Sequence, residues 1–280
     1  AHGFAILAYD KRGTGGSEGD FTFDFHQLAR DAAAGVGFLR AHPEVEDGRV
    51  ALSGYSQGAW VAPLAASLTD VQFVLVSYGM IESPAEEAHM EMLHLLEEGG
   101  VSGEDLLQAD SLVSAAIQVV ASDLKDGWEQ FQDLRGRYGK APWMRFLDGT
   151  PVDQLVSYPK WVVKLIGPRQ LPDGLPWNYD SAALLETLCV PMSWFLAEQD
   201  ESAPNRLTIP KLRRLEAAGL PLELTVFPGT DHGMLRFREG EGQREYLGYA
   251  PGYFESEVEA ALRWSCLLYT SDAADDTSEV

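Results

Sequence analysis

The chain has 280 residues, of which 45% are apolar, and a formal net charge of −22 at pH 7. This length fits one large α/β domain or two small ones, and this apolar fraction is ordinary for a globular protein with a buried core. The acidic charge argues against nucleic-acid partners and anionic membranes, because their phosphates would repel the chain. No run of 18 or more apolar residues occurs, so the sequence predicts no membrane span.

The two ends of the chain have unusual sequences. The chain begins Ala1-His2-Gly3-Phe4, so we expect N-terminal strands to be missing. A signal peptide cannot be judged from such a start, so we assign no cellular compartment beyond the cytoplasm as a default. From about Ser265 onward the sequence resembles a translated sequencing-library adapter, and we expect residues 265–280 to be an artefact tail. Without the four acids of this tail the net charge is −18, and the single remaining cysteine, Cys189, excludes an intramolecular disulfide.

Short apolar runs alternate with helical periodicity along much of the chain. The predicted strands are residues 4–9, 50–53, 71–77, 192–197 and 222–227. Most of these runs are apolar on both faces, which is typical of a parallel sheet covered by helices. The predicted helices around them are residues 24–41, 57–68, 204–218 and 251–264. This pattern predicts an α/β fold with a mostly parallel, doubly wound sheet.

One interval breaks this alternation. Between Ser77 and Met192 lie about 110 residues, far more than one crossover needs. Residues 85–96 and 104–126 have helical periodicity, and many aromatic residues follow them. We therefore predict a helical cap over residues 81–178, inserted between core segments 1–80 and 179–264. The alternative is a separate helical domain unrelated to any active site.

A candidate nucleophile lies in the segment Gly54-Tyr55-Ser56-Gln57-Gly58, between a predicted strand and a predicted helix. A serine on such a sharp turn is raised at the helix N-terminus, and small residues two positions away let neighbouring elements pass close by. We predict Ser56 as the nucleophile and the amide of Gln57 as an oxyanion donor. Tyr55 and Gln57 flank the nucleophile and are candidates to line the pocket, and Tyr55 and Trp60 are the candidate substrate-binding side chains.

A serine hydroxyl needs a base, and the base needs an orienting carboxylate. Of the six histidines, only His232 follows the last predicted strand, in a glycine-rich loop. Asp200 ends the preceding strand region, and we predict it as the acid. Asp231 is the alternative acid, although a residue adjacent to the base rarely points the right way.

With these motifs the sequence resembles the α/β-hydrolase superfamily. It is most similar to bacterial hydrolases of the serine-aminopeptidase-like, dienelactone-hydrolase-like and prolyl-oligopeptidase-like kinds. Residues 10–19 resemble the loop after the family's fourth strand, with Asp10 and Arg12 expected to brace it, and residues 61–66 resemble the nucleophile helix. The family's first three strands and its His-Gly oxyanion segment have no counterpart in this sequence.

The resemblance implies an α/β-hydrolase fold and an acyl-enzyme formed on Ser56. The implied substrate is a small ester, thioester or amide, or a short peptide, and no cofactor or metal is implied. One alternative is an aminopeptidase-like serine peptidase, and another is a non-catalytic binding protein of the same fold. Halide- or epoxide-cleaving relatives use an aspartate nucleophile, which Ser56 disfavours.

The missing oxyanion segment leads to a first prediction. Loss of one oxyanion donor costs about a hundred- to a thousand-fold in rate, so we expect weak or no hydrolysis by these 280 residues alone. The measurement compares them with a longer chain that also carries the first strands. Equal hydrolysis rates would contradict this expectation.

Acidic residues dominate the middle of the chain. Residues 50–124 contain eleven acids and neither Lys nor Arg. This stretch would attract cationic substrates, but solubility is the explanation we favour. Within it, His89, Glu91 and His94 invite interpretation as a metal site. We favour a solvated acidic helix face, because no second motif completes a coordination sphere.

Overall fold

The computed structural model describes residues 3–46, 48–240 and 244–275, the last nine of them as backbone only. The chain divides into two compact units, residues 1–81 with 181–280 and residues 82–180. Within these described residues, no helix combines the length and the apolar character that crossing a membrane requires.

The first unit is built on a four-stranded parallel sheet. Its strands are β1 (Leu52–Tyr55), β2 (Val74–Ser77), β3 (Met192–Ala197) and β4 (Leu222–Phe227), and they lie in this order across the sheet. Every residue of β2 and β3 is buried, which explains why their sequences are apolar without alternation. Four of the five predicted strands are therefore confirmed.

The helices of the described residues confirm the predicted helical segments. In chain order they are α1 (Phe25–Arg40), α2 (Gly58–Ala66), α3 (Pro84–Glu98), α4 (Gly103–Ala121), α5 (Trp128–Tyr138), α6 (Pro151–Ser157), α7 (Lys160–Ile166), α8 (Ser181–Thr187), α9 (Thr208–Ala217) and α10 (Tyr253–Asp275). Helix α1 begins where the Asp24 carboxylate accepts the amides of His26 and Gln27. Helix α10 continues past its predicted end into the tail, and residues 276–280 lie outside the described residues.

The predicted strand over residues 4–9 is wrong. These residues form no sheet ladder with any described segment, and the Ile6 side chain is 88% exposed. A strand is stabilised by hydrogen bonds to a neighbour, so an apolar run without such a neighbour stays irregular. The loop that follows is nevertheless ordered by its own contacts. Asp10 accepts the Gly16 amide at 2.8 Å, and Arg12 forms two hydrogen bonds with Asp31.

A small antiparallel sheet replaces the loop predicted after β4. It consists of β5 (Thr230–Asp231), β6 (Leu235–Glu239) and β7 (Arg244–Tyr249), in that order. The sequence of β6 alternates apolar and charged residues, Leu-Arg-Phe-Arg-Glu, and this two-residue period is the signal that was missed. The sheet begins next to His232 and therefore contributes to the candidate site.

The second unit is helical and has its own apolar core. Helices α3 and α4 confirm the predicted helical segments, although α4 ends at Ala121 rather than at residue 126. Leu96, Leu112 and Phe131 are fully buried in this core. His89 Nε2 lies 2.7 Å from the carboxylate of Asp110, so this histidine pairs with an acid of the neighbouring helix α4.

Candidate active site

The candidate nucleophile lies on a strained turn. Ser56 follows β1 directly and has a φ of +53°, in the left-handed region that residues other than glycine rarely adopt. Its amide donates to Ser77 O at 3.0 Å, which ties the turn to the end of β2. Strain of this kind concentrates at functional sites.

Gln57 occupies the N-cap position of α2. At this end of a helix the backbone amides have no intrahelical acceptor, and the helix dipole favours negative charge. The Gln57 side chain accepts a hydrogen bond of 2.7 Å from Lys11 Nζ, so the loop after residues 4–9 contacts this turn. The amide of Gln57 therefore lies at the N-terminus of α2, directly after Ser56.

The glycines around the turn are not equivalent. A Cβ on Gly54 would collide with the carbonyl of Gly58 and lie 2.9 Å from Ala62 Cβ, as the close-packing argument predicts. A Cβ on Gly58 would meet nothing within 4 Å, so the same argument is wrong for Gly58. Gly79, which the sequence analysis missed, has no room either, because its Cβ would lie 2.6 Å from the carbonyl oxygen of Ser56.

This difference gives a stability prediction. We expect Gly54→Ala to lower the free energy of unfolding by about 1–3 kcal/mol, because backbone atoms would have to shift. Gly58→Ala, the matched control, should change it by less than about 1 kcal/mol, with stabilisation favoured because alanine is the better helix former. Urea unfolding of the two variants measures both values, and equal destabilisation would contradict the contacts.

The predicted acid and base lie together. Asp200 follows β3, and its carboxylate oxygens Oδ2 and Oδ1 lie 2.9 and 3.1 Å from Nδ1 of His232. The Asp200 side chain is only 1% exposed, and Oδ1 also accepts the Ala203 amide at 2.8 Å. Donation from Nδ1 to this carboxylate assigns the lone pair of the neutral ring to Nε2. This is the tautomer that a general base requires.

The alternative acid, Asp231, has other partners. Its Oδ1 accepts the backbone N–H of His232 at 2.7 Å, and its Oδ2 lies 2.8 Å from Arg244 Nη1 and accepts the Tyr246 hydroxyl at 2.9 Å. Burial alone would raise the pKa of Asp231, but its hydrogen bonds from His232, Arg244 and Tyr246 outweigh burial and lower the pKa. The geometry thus joins Asp200 to the imidazole ring and Asp231 to the backbone.

A stacked pair of tyrosines lies next to His232, with Tyr78 in contact with its ring. The Tyr78 ring contacts His232 edge to face at 5.0 Å between centroids and stacks on Tyr55 at 5.6 Å. Tyr78 also has a positive φ of +41°, and burial together with the charges of nearby groups raises its pKa to about 12. Tyr78 was not predicted as a site residue, because its only signal in the sequence is its position directly after β2. Tyr55 is 47% exposed.

Trp60 has a different location. It is buried, and it stacks on Phe25 at 5.0 Å between centroids, between α2 and α1. Trp60 therefore lies on the face of α2 that packs against α1. This packing accounts for Trp60 as a core residue, and we correct its assignment to substrate binding.

Comparison with known protein families identifies the fold. Residues 1–242 match a family model described as "Alpha/beta hydrolase family". The chain therefore belongs to the α/β-hydrolase family, and its parallel sheet with flanking helices is the α/β-hydrolase fold. Family membership supports hydrolase activity in general. A search of curated proteins finds no match.

Solved structures with distant similarity include three hydrolase relatives. The α/β hydrolase GrgF from Penicillium sp. sh18 is 19% identical, with 92% of this chain and 78% of that chain covered and a TM-score of 0.49. An esterase from Pyrococcus furiosus is 16% identical, with 82% and 63% covered and a TM-score of 0.46. Proline iminopeptidase from Mycobacterium smegmatis is 15% identical, with 90% and 74% covered and a TM-score of 0.41.

Proposed function

We propose that the protein is a serine hydrolase that cleaves a carboxylic ester, thioester or amide through an acyl-enzyme on Ser56. The observation that carries this proposal is the hydrogen bond between Asp200, in the segment after β3, and His232, in the segment after β4. Ser56 follows β1 in the same parallel sheet, and the carboxyl ends of parallel strands meet at one edge. The three side chains thus belong to the same sheet edge, in the chain order of this fold.

The proposed mechanism uses the same groups in both half-reactions. His232 Nε2 takes the Ser56 proton as Oγ attacks the substrate carbonyl, and the Gln57 amide donates to the oxyanion. His232 then protonates the leaving alcohol, thiol or amine, while Asp200 stabilises the imidazolium. In the second half, His232 takes a proton from water, which attacks the acyl carbonyl. The acid is released as Oγ regains its proton.

The stacked tyrosines support an apolar acyl or aryl substituent on the substrate. Tyr55 immediately precedes the nucleophile and is half exposed. The Tyr78 ring, directly after β2, stacks on the Tyr55 ring. Aromatic faces bind planar and apolar groups through area burial and stacking. We therefore favour an ester of such an acid or alcohol over a small charged substrate.

The test is a comparison of short-chain aryl esters with amino-acid arylamides. It uses these 280 residues and a chain extended by the family's first strands, each beside its Ser56→Ala variant. We expect the esters to have the higher kcat/KM in the extended chain, and little or no turnover by these 280 residues alone. A preference for arylamides would establish the aminopeptidase-like alternative. Turnover of neither substrate above the Ser56→Ala background by folded, extended protein would contradict the proposal.

A further inference from the structure

We infer that Arg244 is a positioning residue. It holds together the loop after β3 that contains Asp200, here called the acid loop, and the segment after β4 that contains His232, here called the base loop. This inference rests on the proposed function, because it assigns roles to Asp200 and His232. Arg244 is the first residue of β7. The antiparallel pairing of β7 with β6 places the Arg244 side chain next to both loops.

One guanidinium group contacts both loops. Arg244 Nη1 lies 2.8 Å from Asp231 Oδ2 and also donates to Gln199 O at 3.5 Å. Arg244 Nη2 forms an ion pair with Glu201. The guanidinium lies 3.9 Å from the centroid of the Phe237 ring, and the Arg244 side chain is only 16% exposed. A planar, forked donor suits such bridging, which a lysine ammonium cannot reproduce.

The contacted residues are the immediate neighbours of the catalytic pair. Glu201 follows Asp200, and Asp231 precedes His232 and accepts its backbone amide at 2.7 Å. The Glu201 amide also donates to Asp231 Oδ1 at 3.4 Å. A link between Glu201 and Asp231 therefore fixes the separation of the two loops, and with it the geometry of the Asp200–His232 hydrogen bond. Displacements of about 1 Å at such a pair cost about a hundred-fold in rate.

The link also balances charge beside the base. Among the described contacts, Arg244 faces the carboxylates of Glu201, Asp231 and Glu239, and the Tyr246 hydroxyl shares Asp231 with it. The described groups next to His232 include Asp200 and the Tyr78 ring at its imidazole and Asp231 at its backbone amide. Loss of the guanidinium leaves the charges of Glu201 and Asp231 uncompensated near the imidazole. Negative charge favours the protonated ring, which cannot act as a base.

The experiment measures the rate of labelling by a fluorophosphonate probe between pH 5 and 9, per folded molecule. For Arg244→Met we expect the plateau rate to fall about tenfold or more, and the midpoint of the acidic limb to rise by about half a pH unit or more. Arg244→Lys keeps the positive charge but loses the two-pronged guanidinium that contacts both loops. Its plateau labelling rate should therefore fall, while the midpoint pH of its acidic limb should not change. Arg238→Met is the matched control, because Arg238 pairs with Glu245 on the exposed face of the same hairpin.

The outcomes separate this inference from the proposed function. A wild-type rate and midpoint in folded Arg244→Met would overturn the inference alone, because wild type would still be labelled at Ser56. If Arg244→Met does not fold, Arg244→Lys decides: a wild-type rate overturns the inference, and a reduced rate with an unchanged midpoint supports it. No labelling of folded wild-type protein would overturn both proposals.

Discussion

His232→Ala should reduce the turnover of an ester substrate by about a million-fold, the scale seen when the base of a serine triad is removed. The variant removes the only ring that hydrogen-bonds Asp200 among the described contacts, so Ser56 keeps its proton and becomes a weak nucleophile. The measurement is kcat under saturating ester, in the extended chain, with near-ultraviolet circular dichroism to verify folding.

Another histidine provides the control for this variant. His26 lies exposed on α1, and His26→Ala should leave kcat within about twofold. A loss below about a hundred-fold in folded His232→Ala would mean that a different group acts as the base. The assignment of His232 would then have to be withdrawn.

Asp200→Asn should lower kcat by about ten-thousand-fold while the fold is retained. The amide is nearly the same size as the carboxylate, so the buried site stays filled. Its NH₂ group would face Nδ1, which favours the tautomer whose proton is on Nε2 and whose lone pair is unavailable to Ser56. The measurement is kcat together with a urea unfolding curve, which separates catalytic loss from unfolding.

Asp231→Asn is the matched variant for the alternative acid. Asp231 bonds the backbone of His232 rather than its ring, so we expect a loss of about tenfold, through displacement of the loop. If Asp231→Asn were the more damaging of the two substitutions in folded protein, Asp231 would be the orienting acid. The hydrogen bond between Asp200 and His232 would then be structural.

Much of the candidate site could be proposed from the sequence because its signals are local. Buried parallel strands appear in the sequence as short apolar runs, and the turns after them hold the polar residues. Ser56 stands between such a run and a helix, and Asp200 and His232 each follow one. The structure adds the distance that chain order alone does not give, 2.9 Å between Asp200 and His232.

The missed features depend on contacts between distant parts of the chain. Residues 4–9 have the composition of a strand, but a strand also needs a neighbour to bond with. The close approach of Gly79 to Ser56 is set by the register of β1 against β2, which no local pattern encodes. Arg244 lies more than forty residues from Glu201 in sequence, and only the antiparallel pairing of β6 and β7 brings them together.

The central claim is that Ser56 is an activated nucleophile, and covalent labelling tests it most directly. The folded chain is incubated with a fluorophosphonate probe, and the modified peptide is mapped by mass spectrometry, beside Ser56→Ala. We predict one modification, on Ser56, that is absent from the variant; prolonged incubation compensates for a slow rate. Labelling that persists in Ser56→Ala, or no labelling of folded protein, would contradict the assignment.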